Sequence, residues 1–238
     1  MQHRHKVDGQ PAYVLHSYPF RETSLIVEAF SRDYGRVALL ARGARRARSV
    51  MRGVLMAFQP LELSWAGKGE VQTLMKAEWQ GGQPLLTGKA LFCGYYLNEL
   101  LVNLLPREDA HPRLFSFYAE VLRRFALTPR ESDIRCFERA FLQELGYGLL
   151  LLNDVNGYPV DPDGFYAYEI ERGPVRLDVA GRGPLAIRGK TLIDLAEDDF
   201  SDARTLLEAK QLMRALIAHY LGGKSLETRK IFMEYHEL

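Results

Sequence analysis

Residues 35–52 read GRVALLARGARRARSVMR: six arginines (Arg36, Arg42, Arg45, Arg46, Arg48 and Arg52) in eighteen positions, without one acidic residue. Residues 36–42 have the apolar content of a β-strand, whereas the RGARRARS that follows holds nothing apolar larger than alanine and reads as a solvated loop. The guanidiniums therefore stand on or beside a sheet. Each can fork two donors onto a phosphate, a geometry lysine lacks, and Gly43 with the alanines leaves the backbone free to follow a ligand. A charge run usually does no more than solvate a surface. A run of one sign points instead to a polyanion.

On the N-terminal side, residues 12–18 and 24–31 are rich in β-branched and aromatic residues, and Pro19-Phe-Arg-Glu separates them. Asp33-Tyr-Gly35 turns the chain into the arginine strand. On the C-terminal side, residues 50–58 suit one or two helical turns ended by Pro60. Residues 61–66 and 71–79 then form a hairpin about Gly67-Lys68-Gly69, with Leu61, Leu63 and Trp65 on one face. Lys68 at its tip adds a seventh cation to the candidate contacts. Three strands, a short helix and two strands is the order of a five-stranded OB-fold barrel, which lays single-stranded nucleic acid across its open face.

Gly81-Gly82-Gln83-Pro84 marks a boundary, after which the apolar period changes from two to 3.6. Residues 85–105, 111–127 and 130–145 read as helices. In the third, Ile134, Phe137, Phe141 and Leu145 should face the core, which turns Arg135, Glu138, Arg139 and Leu142 toward another surface. Residues 147–190 lose the period and fill with Gly, Pro and Asp around strands at 165–171 and 175–179. Helices return at 190–196, 202–220 and 225–235, with Ser201-Asp202 as a cap and Gly222-Gly223 as a stop. The expected class is α+β: an OB-fold β-barrel domain at 1–80, then a mainly α-helical domain at 81–238 carrying a small irregular β insert.

The net charge of +1 hides an asymmetry. Residues 1–80 carry 12 Lys+Arg against 7 Asp+Glu, or +5, and residues 81–238 carry 19 against 23, or −4. Two separated cysteines, Cys93 and Cys136, give neither a disulfide framework nor a CxxC metal pair, and a reducing cytoplasm fits them. No segment approaches the roughly 18 apolar residues of a membrane span. Catalytic motifs fail in context: Gly223-Lys224-Ser225 lacks the earlier Walker glycine and follows a helix, and His219 lies in the body of an amphipathic helix. No catalytic residue and no cofactor are expected. An RNA-binding OB protein and an enzyme seated in the 147–190 insert remain the alternatives, since phosphate contacts carry no sugar information.

Tyr13-Val-Leu-His-Ser17, Arg21-Glu-Thr-Ser-Leu25, Gly35-Arg-Val37, Ala41-Arg-Gly-Ala-Arg45, Phe58-Gln-Pro60 and Gly69-Glu70 resemble the amino-terminal domain of the RecO family of recombination mediators. Tyr96-Leu-Asn-Glu-Leu-Leu101, Phe137-Glu138, Glu144-Leu-Gly-Tyr147 and Leu221-Gly-Gly-Lys224 carry the resemblance through almost the whole chain. It implies a non-enzymatic DNA-repair protein of the RecF pathway, acting at the nucleoid. Such a protein binds single- and double-stranded DNA, anneals complementary strands, engages single-strand-binding protein and works with RecR to load RecA. It also implies that Arg135, beside Arg139 and Leu142, receives the terminal carboxylate of that protein's acidic, phenylalanine-ended tail. Many relatives carry a four-cysteine zinc site after the Glu-Leu-Gly-Tyr motif. Residues 147–190 hold no cysteine here, so no zinc is expected and packing of Leu149, Val155, Tyr158, Phe165 and Tyr168 should hold the insert.

Overall fold

The computed structural model describes residues 5–178 and 185–236, which leaves His3 and the rest of the first four residues outside. The chain divides into two compact units, Met1–Pro129 with Leu226–Leu238, and Arg130–Ser225.

In the first unit, β1 (His5–Phe20), β2 (Ser24–Ser31), β3 (Gly35–Ala41), β4 (Leu61–Gly67) and β5 (Val71–Trp79) close a barrel in the order β1-β2-β3-β5-β4. The expected OB-type barrel is therefore present. Only β3 and β5 pair in parallel, through Ala38 and Val71, and this contact seals the barrel. Alternation sends Val14, Val27, Val37, Leu39, Leu61, Leu63 and Trp65 inward, all essentially buried. At about 1.5–3 kcal/mol for each such side chain, this interior is a main stabilising term of the barrel.

Strand β1 starts seven residues before the expected 12–18. Its first half pairs with β4 and its second with β2, so one strand closes both edges. Asp8-Gly9-Gln10-Pro11 has residue types common in turns. In the fold it is a bulge between Val7 and Gln10, where Gly9 takes φ +62 and its N–H donates to Ser64 Oγ at 3.0 Å. Helix α1 (Met51–Val54) is shorter than the expected 50–58.

Helices α2 (Gly88–Leu104) and α3 (Pro112–Leu127) accompany the barrel. Tyr13 and Phe30, facing out of the barrel, pack on Phe115 with ring centroids 5.5 and 5.4 Å apart. A second bulge between Val14 and His16 frees the Leu15 carbonyl. Asn98 Nδ2 donates to it at 2.9 Å, and the Tyr118 hydroxyl donates to Asn98 Oδ1 at 2.5 Å. Burial raises the Tyr118 pKa well above its ordinary value, so the phenol stays a donor.

The α2–α3 connection runs beside β3. The Glu108 N–H donates to the Arg36 carbonyl at 2.9 Å, and Arg36 Nε donates to the Leu105 carbonyl at 2.8 Å. Buried Glu28 receives Arg36 Nη1 at 2.9 Å and Arg107 Nη2 as well. Gly35 (φ +65) lies so close that an added Cβ would sit 1.9 Å from the Asp109 carbonyl oxygen. Helix α7 (Glu227–His236) then returns to this unit, its Glu227 and Thr228 N–H groups donating to the Glu99 carboxylate on α2 at 2.6 and 3.0 Å.

The second unit holds α4 (Glu131–Glu144), a sheet of β6 (Phe165–Glu169), β7 (Gly173–Leu177) and β8 (Ala186–Arg188) in the order β7-β6-β8, then α5 (Gly189–Glu197) and α6 (Ala203–Tyr220). The strand expected at 175–179 is shifted toward Gly173, and Val179 falls outside the described residues. Asp202 caps α6 as expected, accepting from the Arg204 N–H at 2.9 Å. The packing expected for the insert needs correction. Of the five residues expected to hold it, Tyr168 is buried, Leu149, Val155 and Phe165 are half-buried and Tyr158 is 69% exposed, while Leu151, Val160, Tyr166 and Ile187 are buried with Tyr168. Asp154 Oδ1 ties its turn by accepting the Asn156 and Tyr158 N–H groups, both at 2.9 Å. Among the described residues no three His, Cys, Asp or Glu side chains are grouped to hold a metal ion, and no helix is long and apolar enough to cross a membrane.

Candidate nucleic-acid interface

The arginine loop begins where β3 ends. Gly43 (φ +71) turns the chain, and Ala44 drops fully buried into the barrel core, so the arginines on either side must splay outward. The Arg45 N–H donates to the Thr23 carbonyl at 2.9 Å and the Gly43 N–H to Ser24 Oγ at 3.4 Å. Arg45 Nη1 reaches the Arg21 carbonyl at 3.1 Å. The loop is thus docked by its backbone on the β1–β2 turn while its charged ends stay in water.

Arg42, Arg45, Arg46, Arg48 and Arg52 are all exposed, as is Lys68 at the β4–β5 turn. Among the described residues none of these six forms an ion pair with a carboxylate. Several arginines elsewhere are neutralised, among them Arg32 by Asp33, Arg139 by Asp198, Arg176 by Asp161, and Arg188 by Asp202 and Glu208, whereas exposed Arg113, Arg123 and Arg130 stand singly and not in a run. Gathered next to one another, these guanidiniums of the loop form a positive surface to which phosphates can bind without displacing a carboxylate, Arg45 alone giving one donor to the Arg21 carbonyl.

Arg36 does not belong with them. Its side chain is only 14% exposed and is committed to Glu28 and the Leu105 carbonyl, because the register pairing Glu28 with Ala38 sets Arg36 diagonally beside that carboxylate. It holds the sheet to the α2–α3 connection. The β1–β2 turn places a further exposed cation beside the loop, Arg21 (φ +50), whose guanidinium carbon lies 5.3 Å from the centre of the Phe20 ring. The signal was present, as Phe-Arg beside the loop's docking point, but the pairing of the two turns is not readable from spacing.

The partner-site residues expected on α4 are placed differently from expectation. Arg135, Glu138 and Leu142 are buried, and Asp133, Arg135, Phe137, Glu138, Phe141 and Leu142 together cover more than half of the helix circumference. Arg135 can be buried because Glu138, three residues on, lies 2.8 Å from its Nη1, while its Nε is buried with no hydrogen-bond partner. Arg139 is held by Asp198, Nε to Oδ1 at 2.9 Å. Cys136, on the same helix, is pushed up to about 12 by burial first and by Asp198 next, so it stays a protonated thiol and not a nucleophile.

Comparison with known proteins follows the same division. The family model "Recombination protein O N terminal" matches residues 7–82, and "Recombination protein O C terminal" matches residues 85–230. The chain is 68% identical over 242 residues to the DNA repair protein RecO of Dechloromonas aromatica (strain RCB), with all of both chains covered. It is 56% identical over 239 residues to that of Aromatoleum aromaticum, again along the whole of both chains. To the DNA repair protein RecO of Azoarcus sp. (strain BH72) it is 57% identical over 240 residues, covering 99% of each chain.

Proposed function

This chain belongs to the RecO family, and from that membership we propose that it is a DNA-repair mediator that binds DNA phosphates through its arginine loop and acts by binding, without catalysis. The observation that carries the reading is the set of exposed arginines without carboxylate partners on the β1–β2 and β3–α1 turns. DNA contacts then belong to Arg42, Arg45, Arg46, Arg48, Arg52 and Lys68, joined by Arg21. Residues 1–80 form the DNA-binding domain, and residues 81–238 meet protein partners in the cytoplasm. Annealing of complementary strands follows from the same chemistry, since neutralising phosphates on two strands removes their repulsion. RecR and RecA are the partners this mediator serves.

The test is quantitative. With Arg42, Arg45, Arg46 and Arg48 replaced by alanine, the slope of log K against log salt for a single strand should shrink by about 0.7 for each lost phosphate contact. Sequence should not matter to the loss, because phosphates carry none. A folded quadruple variant that keeps the wild-type slope would place DNA elsewhere, and equal competition by RNA would widen the ligand class.

For the tail of single-strand-binding protein, Arg135 is the proposed carboxylate receptor, as family membership suggests; its Nε lacks a partner, but the side chain is buried beside Glu138 and has to turn outward to meet a peptide. Arg139 and Leu142 stand beside it on α4, the first already paired and the second part of the packed face. Arg135→Ala should cost roughly 1.5–3 kcal/mol of affinity for a fluorescent tail peptide, the range for a hydrogen bond to a charged group, and leave oligonucleotide binding intact. Arg135→Lys keeps a cation near Glu138 but loses the fork, and should fall between. If both variants bind the peptide as the wild type does, the tail binds elsewhere.

A further inference from the structure

On β1 the residues that alternate outward near the arginine loop are His16, Tyr18 and Phe20. His16 and Tyr18 are exposed, Tyr18 by 43%, and their ring centroids lie 4.4 Å apart at a 59° tilt. Phe20 pairs with Ser24, whose hydroxyl receives the Gly43 N–H, so the row of rings ends where the arginine loop docks. Tyr18 pairs with Ile26 and Ile26 with Leu40, both half-buried, giving an apolar floor beside the rings. The remainder of this outer face is occupied, by Glu28 with its two arginines and by Phe30 against Phe115. Open aromatic surface and unneutralised guanidiniums are thus adjacent on the same end of the same three strands.

We propose that Tyr18, flanked by His16, is a stacking platform for unpaired bases, and that it adds affinity for single strands that a duplex does not share. This rests on the phosphate-binding role of the arginine loop and adds to it. The loop alone cannot tell one strand from two, because both offer phosphates. A ring can, because the π-face of a base is available only when it is unstacked and unpaired. Sequence is not read, since every base has such a face, and neither is the sugar.

The experiment uses the full chain with a 16-nucleotide oligo-dT, the same oligonucleotide made largely abasic, and a duplex of equal length. Tyr18→Ala should weaken oligo-dT binding about 5- to 150-fold, the loss of one stacked base, with the salt slope unchanged. Duplex affinity should stay within a factor of two. Tyr18→Phe, which keeps the ring, should bind oligo-dT as the wild type does. The wild type should prefer oligo-dT to the abasic strand, and Tyr18→Ala should largely lose that preference. An alanine variant that keeps oligo-dT affinity, or one that loses oligo-dT and duplex alike, overturns the platform. The arginine variants report separately: if they lose their salt slope while Tyr18→Ala binds normally, the stacking inference fails and the phosphate reading survives. If their slope is intact, the phosphate reading itself has failed.

Discussion

Gly35→Ala is expected to destabilise the first unit by roughly 2–5 kcal/mol, from about 1–2 for a left-handed backbone carrying a Cβ and about 1–3 for forcing an atom into packed space. The collision is with backbone: the new Cβ would lie 1.9 Å from the Asp109 carbonyl oxygen, and no rotamer change can relieve that. The α2–α3 connection would have to leave β3, taking with it the Glu108 to Arg36 hydrogen bond. Gly69→Ala is the control, because Gly69 has φ +90 with nothing within 4 Å of its added Cβ and meets only the conformational cost. Urea denaturation of both variants decides it. Equal losses would mean that the connection yields freely and that the contact at Asp109 contributes nothing.

Glu28→Ala is expected to cost about 3 kcal/mol, the lower end of the range for breaking a buried ion pair, because it strands the largely buried Arg36 guanidinium. The full range does not apply, since Arg107, the second partner, is 37% exposed and can turn to water. For the same reason Arg107→Ala should cost under about 1 kcal/mol. The order of the two losses is the prediction. If Arg107→Ala proves the more damaging, the charge that matters is the exposed one, and Arg36 finds enough solvent without Glu28.

These two sites also explain what could be read from the chain beforehand. Strands β2 to β5 follow from period-two alternation within one or two residues, because each has one face in the barrel core. The first half of β1 was hidden, since Asp8-Gly9-Gln10-Pro11 has turn chemistry that the barrel uses for a bulge. The arginine run was legible as one group by charge, but its division was not. Arg36 is separated from the rest by a cross-strand register with Glu28, which spacing within a single strand does not encode. On α4 the burial of Phe137 and Phe141 was legible, but Ile134 and Leu145 are only half-buried, Leu142 is buried against expectation, and burial of Arg135 and Glu138 depends on their neutralising each other. The aromatic row on β1 needed the bulge at Leu15, which resets which residues face outward.

Helix α7 sets an order of events during synthesis. The first unit is built from Met1–Pro129 and Leu226–Leu238, so the 96 residues from Arg130 to Ser225 leave the ribosome between its two parts. At 5–20 residues per second that is an interval of about 5–20 s. Throughout it the barrel, α2 and α3 are already available to fold, yet the Glu99 carboxylate has neither of the N–H groups it later receives from Glu227 and Thr228. The surface of α2 destined for α7 therefore stays an unfinished interface on every newborn chain until the last helix is made.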